Sequence, residues 1–151
     1  MRLPKRKLPR LSGYDYTSAN YYFITICTHE KSCIFGSADT LNERGSIAEK
    51  ELLRTASRFE NVFVDKYVVM PNHIHAIIVI ENTEKPLSLS TVIGSYKSAV
   101  SRKIHGSAPK LRVWQKSFYD RIIRGDKDYV QVCEYIEENR RKLRCLMSGE
   151  I

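Results

Sequence analysis

No run of consecutive apolar residues exceeds the five from Ala76 to Ile80, far short of the roughly 20 that a membrane-spanning helix requires. Nor does an apolar stretch or a small-residue cleavage site follow the basic segment Met1 to Arg10. No secretory signal is therefore read there, and a cytoplasmic location is expected. The four cysteines, Cys27, Cys33, Cys133 and Cys145, lack the paired two-residue spacing of a zinc ribbon, so buried, reduced thiols are expected. A metal knuckle of Cys27, His29 and Cys33 is the weaker alternative, because Cys27 fits the alternation of a strand. Glycine and proline are sparse, at seven and five residues, and nowhere gather into a linker or a repeat. With nothing to divide the chain, one domain is expected over 13–151, preceded by a basic arm over 1–12.

What is present is an ordinary globular mixture. Hydrophobic residues make up 42% and charged residues 28% of 151 positions, which excludes a disordered or fibrous chain and suffices for one hydrophobic core. The net charge of +8 is unevenly placed. Arg2, Lys5, Arg6, Lys7 and Arg10 crowd the first ten residues without an acid, and residues 95–124 hold eight cations, Lys97, Lys116, Arg121 and Arg124 among them, against Asp120 alone. Residues 29–93, by contrast, hold seven basic and nine acidic side chains. Segregation of this kind suits a polyanionic partner, although a merely solvated face explains the charge as well.

Periodicity gives the order of elements. Tyr21–Thr28 (YYFITICT) has the β-branched and aromatic composition of a strand. After a polar loop containing Gly36 and Gly45, Ser46–Phe59 sets Ile47, Leu52, Leu53, Ala56 and Phe59 at helical spacing. Asn61–Met70 reads as a strand, Pro71-Asn72 as a turn and His73–Glu81 as the hairpin partner. Leu89–Ile104 is expected to be helical, Val113–Arg124 short and extended, and Asp126–Arg144 a closing helix that Asp126 can cap. The His73 strand carries Ile74, Ala76, Ile78 and Ile80 on one side and Ile77 and Val79 on the other, so it belongs mid-sheet with helices on both faces. The expected fold is an α+β, ferredoxin-like or RRM-like sandwich with a mainly antiparallel central sheet and a C-terminal helix bearing Tyr135. That topology serves RNA-recognition modules and nucleases alike, so function must come from the site.

His73 and His75 alternate in one strand, which turns both imidazoles to the same face, roughly 7 Å apart at Cα. They begin the strand just after a tight turn, where ring edges can meet solvent, and this placement suits metal ligands better than core histidines. Ile77 stands where a third alternating histidine would be, so any further ligand must come from elsewhere. On the last helix Tyr135 and Asn139 are spaced i, i+4 and are expected to share the packed stripe with Val132, Ile136 and Leu143. A rim tyrosine and a loop-bonding asparagine account for this pair by itself. An amide oxygen beside two imidazoles, however, makes a set suited to Mg²⁺ or Mn²⁺ once water and phosphate complete the shell.

Taken together, these strings resemble a known family. Met70-Pro-Asn-His73-Ile-His75 with its apolar strand, Trp114-Gln-Lys-Ser-Phe-Tyr119-Asp-Arg-Ile-Ile-Arg124, and Tyr135-Ile-Glu-Glu-Asn139 resemble the single-tyrosine HUH transposases. Pro9-Arg-Leu-Ser-Gly-Tyr-Asp15-Tyr and Tyr22–Thr28 are similar to the branch of REP-associated tyrosine transposases. The resemblance implies Tyr135 as nucleophile, His73, His75 and Asn139 as ligands of Mg²⁺ or Mn²⁺, and strand transfer on single-stranded or hairpin DNA through a 5′-phosphotyrosine. It also implies a location near the nucleoid, and either a monomer or a domain-swapped dimer. Arg140-Arg141-Lys142 follows Asn139 where that branch often carries proline, so the helix is expected to run on. Tyr119 is the rival phenol, expected instead to stack on a base, with Lys97, Lys116, Arg121, Arg124 and the arm cations Arg2 to Arg10 contacting phosphates. A non-catalytic nucleic-acid-binding module and a metal-dependent hydrolytic nuclease are the alternatives.

Overall fold

The computed structural model describes residues 19–37, 40–81 and 87–147; the arm and its cations lie outside them. Four strands form the central sheet: β1 (Ala19–Cys27), β4 (Val62–Met70), β5 (His73–Glu81) and β6 (Tyr119–Ile122). Their order is β4-β5-β1-β6, with every neighbouring pair antiparallel. Between β1 and β4 come a two-stranded ribbon, β2 (Gly36–Ser37) with β3 (Thr40–Leu41), and the helix α1 (Glu43–Ser57). The helices α2 (Leu89–His105) and α3 (Asp126–Met147) follow the β4-β5 hairpin and β6 respectively. This is the split β-α-β sandwich, with β5 inserted between β1 and β4.

The alternation of β5 divides the core as its sequence requires. Ile74, Ala76, Ile78 and Ile80 join Ile24 and Ile26 of β1 in packing against Ala48 and Leu52 of α1 and Val92, Ile93, Tyr96 and Val100 of α2. Ile77 and Val79 point the other way, to Tyr129, Val132 and Ile136 of α3. His73 and His75 have the parity of Ile77, which puts them on the α3 face.

Several boundaries differ from the expectation, each for a local reason. Helix α1 begins three residues earlier than Ser46, because Asn42 caps it by accepting the Gly45 N–H at 3.0 Å. Gly45 is thus in the first helical turn and not in a loop. Its lack of a side chain matters there, since a Cβ would lie 2.3 Å from the Phe35 carbonyl oxygen. The expected extended segment 113–124 is a strand only over Tyr119–Ile122, with Trp114 bridging Thr28 separately. The loop between is held by Lys97, whose ammonium donates to the carbonyls of Gln115 (3.1 Å) and Ser117 (2.5 Å). At the last helix Asp126 is the first helical residue, and Asp128 instead accepts the Arg124 N–H at 3.0 Å. Helix α3 runs through Arg140-Arg141-Lys142 to Met147, as the absence of proline requires.

Helices α1 and α2 are joined by polar contacts as well as by packing. The Tyr96 hydroxyl donates to the Ala48 carbonyl at 2.9 Å. The Glu51 carboxylate, with its side chain 1% exposed, accepts from Arg54 (2.7 Å) and Arg58 (2.9 Å) and lies 3.6 Å from Lys103 of α2. Burial alone raises the Glu51 pKa, but the hydrogen bonds from Arg54 and Arg58, helped by the charges of Arg54 and Lys103, outweigh it and hold the carboxyl below its ordinary value. A carboxyl lowered in this way stabilises the fold above the unfolded-state value, and its contribution is lost as pH falls through the folded-state value. Replacing Glu51 by Gln is expected to cost about 1–3 kcal/mol at neutral pH. Thermal melts from pH 7 to pH 3 are expected to show the gap between variant and wild type closing on acidification; a constant gap rules out the charge role.

Candidate active site

Strand register assembles the site. In β5, His73 pairs across to Cys27 and Met70, and His75 to Thr25 and Val68. Thr25 therefore sits beside His75 on the α3 face, and its Oγ1 is hydrogen-bonded to His75 Nδ1 at 2.9 Å. His73 Nδ1 is bonded to Asn72 Oδ1 at 2.7 Å within the turn that precedes β5. The two rings stand edge to face with centroids 4.7 Å apart. With both Nδ1 atoms engaged, each ring keeps Nε2 for another partner, the arrangement by which an outer hydrogen bond orients a ligating histidine.

Electrostatics keep both rings neutral. Burial lowers the His73 pKa, and the charge of Lys31 lowers it further. Burial also takes His75 down to about 4, aided by its neighbour His73. Neutral imidazoles are the form that binds a metal ion.

Helix α3 brings the phenol. The Tyr135 ring lies 5.1 Å from the His75 ring and 6.1 Å from Phe23 of β1, with Phe23 and His75 themselves 5.5 Å apart. All these rings belong to one chain. The sequence placed Tyr135 and Asn139 on the packed stripe, and this needs correction. The buried stripe is Tyr129, Val132 and Ile136, while Tyr135 is 50% exposed and Asn139 half-buried on its shoulder. A residue one position before Ile136 is rotated about 100° away from it, which moves the phenol from the core to the rim. Asn139 donates its amide N–H to the Tyr135 carbonyl at 2.9 Å, so its Oδ1 remains as an acceptor one turn beyond the phenol.

The chemistry of the imidazole pair is compatible with a divalent ion. Two neutral imidazoles oriented through Nδ1 are donors of the kind a divalent ion takes, while the Asn139 amide makes its hydrogen bond to the Tyr135 carbonyl and none to either imidazole. Among the described residues no three of His, Cys, Asp and Glu gather as ligands. Cys27 is buried at the end of β1 and Cys33 exposed, without forming a cluster with His29.

The remaining candidates divide. Tyr119, 60% exposed, lies on β6 opposite Thr25 and hence on the face of the histidines, but the phenol ring against His75 is that of Tyr135. Lys116 and Arg124 are exposed. Lys97 is occupied by the loop carbonyls, and Arg121 grips both oxygens of Asp128 at 2.9 and 2.8 Å, so neither cation is free in the way the sequence suggested. Four contributors escaped the sequence: Thr25, Phe23, Asp65 and Tyr67. Asp65 sits at a register irregularity in β4 and accepts from the Tyr129 hydroxyl, while Arg140 donates to the Tyr67 carbonyl and lies 5.4 Å over its ring. These two contacts fasten α3 to the sheet on either side of Tyr135. No local signal marks them, because each links positions more than 60 residues apart.

In an NMR titration of the histidine rings, His75 is expected to protonate near pH 4 and His73 below the ordinary 6.5. Since unfolded chains take up those protons first, stability is expected to fall as pH drops from 6.5 toward 4. Ordinary titration of His75 near 6.5 contradicts this geometry.

Comparison with known proteins adds the relatives. The family model described as "Transposase IS200 like" matches residues 15–139. An uncharacterized protein of Haemophilus influenzae is 35% identical over 157 aligned positions, covering 89% of this chain and 87% of that protein. A second protein of the same organism, provisionally named a REP-associated tyrosine transposase, is 27% identical over 139 positions, covering 85% of this chain and 76% of its own. Among solved structures, a REP-associated tyrosine transposase bound to a REP hairpin aligns with a TM-score of 0.63 at 19% identity, over 82% of this chain and 67% of that one. At that identity the likeness is one of fold.

Proposed function

This chain belongs to the IS200-like transposase family, and from that premise we propose that it cuts and rejoins single-stranded, hairpin-bearing DNA with Tyr135 as the nucleophile. The observation that carries the reading is the Tyr135 ring 5.1 Å from His75, itself 4.7 Å from His73, within one chain. His73, His75 and the Asn139 amide oxygen would hold Mg²⁺ or Mn²⁺, which supplies Lewis-acid polarisation of the scissile phosphate. The hydrogen bonds of His75 with the Thr25 hydroxyl and of His73 Nδ1–H to the Asn72 amide oxygen orient the two imidazoles.

Tyr135 then works by position. Tyr135 is half-exposed, and its phenolic proton passes to water as the oxygen attacks. The phenolate oxygen forms a bond to phosphorus in line with the bond to the 3′ oxygen, which breaks and leaves as a 3′-hydroxyl. The strand's 5′ phosphate is now an ester of Tyr135, and attack by another 3′-hydroxyl reverses the step and frees the phenol. The phosphodiester energy is retained, so rejoining needs no nucleotide triphosphate. The contacts of Tyr129 with Asp65 and of Arg140 with Tyr67 keep α3 in place while strands exchange. Exposed Lys116 and Arg124, the aromatic Tyr119 and the cations of the arm are assigned to the DNA backbone and bases.

The test is incubation with a labelled imperfect-hairpin oligonucleotide and Mg²⁺ or Mn²⁺. Covalent adduct on a denaturing gel is expected, and Tyr135→Phe is expected to remove it, lowering cutting on the order of a thousandfold or more while hairpin retardation persists. Cut ends without adduct indicate a hydrolytic nuclease, and retardation without cutting a binding module; either result defeats the proposal. Deleting residues 1–10 is expected to weaken binding and to reduce its salt dependence, by about 0.7 in log–log slope for each single-strand phosphate that the arm had neutralised. An unchanged slope removes the arm from the interface.

A further inference from the structure

The hollow that His75 and Tyr135 share extends past them along α3. It has a volume of about 290 Å³ and lies between Phe23 and Thr25 of β1, His75 of β5 and Gln131, Val132 and Tyr135 of α3, with Arg121 also lining it. That size is at the small end for a ligand pocket, which suits one planar ring and not a stack of them. Most of its polar lining is already engaged. The Thr25 hydroxyl is on His75, and the Arg121 guanidinium is neutralised by both oxygens of Asp128. Gln131 differs: it is an exposed residue of the lining whose amide has no hydrogen-bond partner among the described residues, which leaves one acceptor and two donors available to a ligand. A phosphate does not suit a lining whose one cation is paired with a carboxylate. A neutral ring with adjacent donor and acceptor groups does, and every nucleobase presents such an edge.

We propose that this hollow is a nucleobase subsite, in which the Phe23 ring and Val132 contact the base next to the scissile phosphate and the Gln131 amide reads its hydrogen-bonding edge. The position follows from the rings: Phe23 is 6.1 Å from Tyr135 and 5.5 Å from His75, so a base held there adjoins whatever phosphate those two groups address. The inference rests on the strand-transfer reading for the identity of its ligand, but not on cutting itself. Gln131 is thereby a specificity-determining residue, and its amide is the side chain by which the protein prefers one base over another at the cut.

The test is equilibrium binding of single-stranded octamers of deoxyadenosine, deoxycytidine and thymidine in EDTA, followed by NMR of the side-chain amides and aromatic rings. Binding is expected to shift the Gln131 amide and Phe23 ring signals and to rank the three octamers over about a 5- to 100-fold range, as one two-point base contact allows. Gln131→Leu keeps the side chain's bulk at an exposed position and is expected to compress that ranking, whereas Lys116→Ala lowers all three affinities together. An unchanged ranking in Gln131→Leu, or shifts that bypass Gln131 and Phe23, overturns the subsite. Because no strand is cut in this experiment, its failure leaves the Tyr135 adduct standing, and loss of the adduct does not remove the ranking.

Discussion

The antiparallel register between β1 and β5 is the constraint on which the site depends. It sets Thr25 opposite His75 and Cys27 opposite His73. A slip of one residue would send both imidazoles into the layer now filled by Ile74, Ala76 and Ile78, where their unpaired nitrogens would be costly. The register is held because β5 is apolar on both faces: the sheet is buried against α1 and α2 on one side and α3 on the other. A slip would have to repack two close-packed layers at once. The chemistry at its beginning is therefore anchored by packing farther along it.

The second element is the placement of α3. Its stripe of Tyr129, Val132 and Ile136 lies on Val68, Ile77 and Val79, and this apolar seam sets the distance between helix and sheet but leaves sliding along the seam cheap. Polar contacts resist sliding. The Tyr129 hydroxyl on Asp65 and Arg140 on Tyr67 are directional, and they lie one to two turns on either side of Tyr135. Asp65 reaches the helix where the register of β4 shifts, in keeping with the use of bulges to re-aim a side chain. In this arrangement a phenol off the packed stripe is both exposed enough to meet a strand of DNA and fixed enough to face the histidines.

Charge works in two ways in this molecule. Glu51 gathers Arg54, Arg58 and Lys103 on the α1-α2 face, Asp128 holds Arg121, and Lys97 braces the loop before β6. These cations maintain structure, so the net charge of +8 does not by itself say which of them can grip a polyanion. What remains near the site, on exposed Lys116 and Arg124, is compatible with a partner steered by charge and read by its bases. The same logic distinguishes Arg121 from Gln131: one lines the hollow with its charge compensated, the other with an amide that has no hydrogen-bond partner among the described residues.

Much of this was legible in the sequence. The strong alternation of His73–Glu81 fixed both limits of β5 and the sidedness of its histidines, since a period of two is a local property of the backbone. Spacing put Tyr135 and Asn139 on one helix side, and the order of elements implied the split β-α-β sheet. The strings around His73, Trp114 and Tyr135 pointed to the family that the match over residues 15–139 now establishes. Less visible were the early start of α1, set by the Asn42 cap, and the shortness of β6, which depends on a loop tied down by Lys97. The sequence by itself thus determined the kinds of groups available, their local spacing and the topology that carries them, because helix and strand periods are written in neighbouring residues. Only the tertiary structure decided which phenol meets the imidazoles, that Thr25 rather than a carboxylate orients His75, and that Tyr135 stands at the rim. Those facts depend on pairings across 50 or more residues, such as Thr25 with His75 and Asp65 with Tyr129. Such pairings arise from how whole layers pack, so no short window of the chain records them.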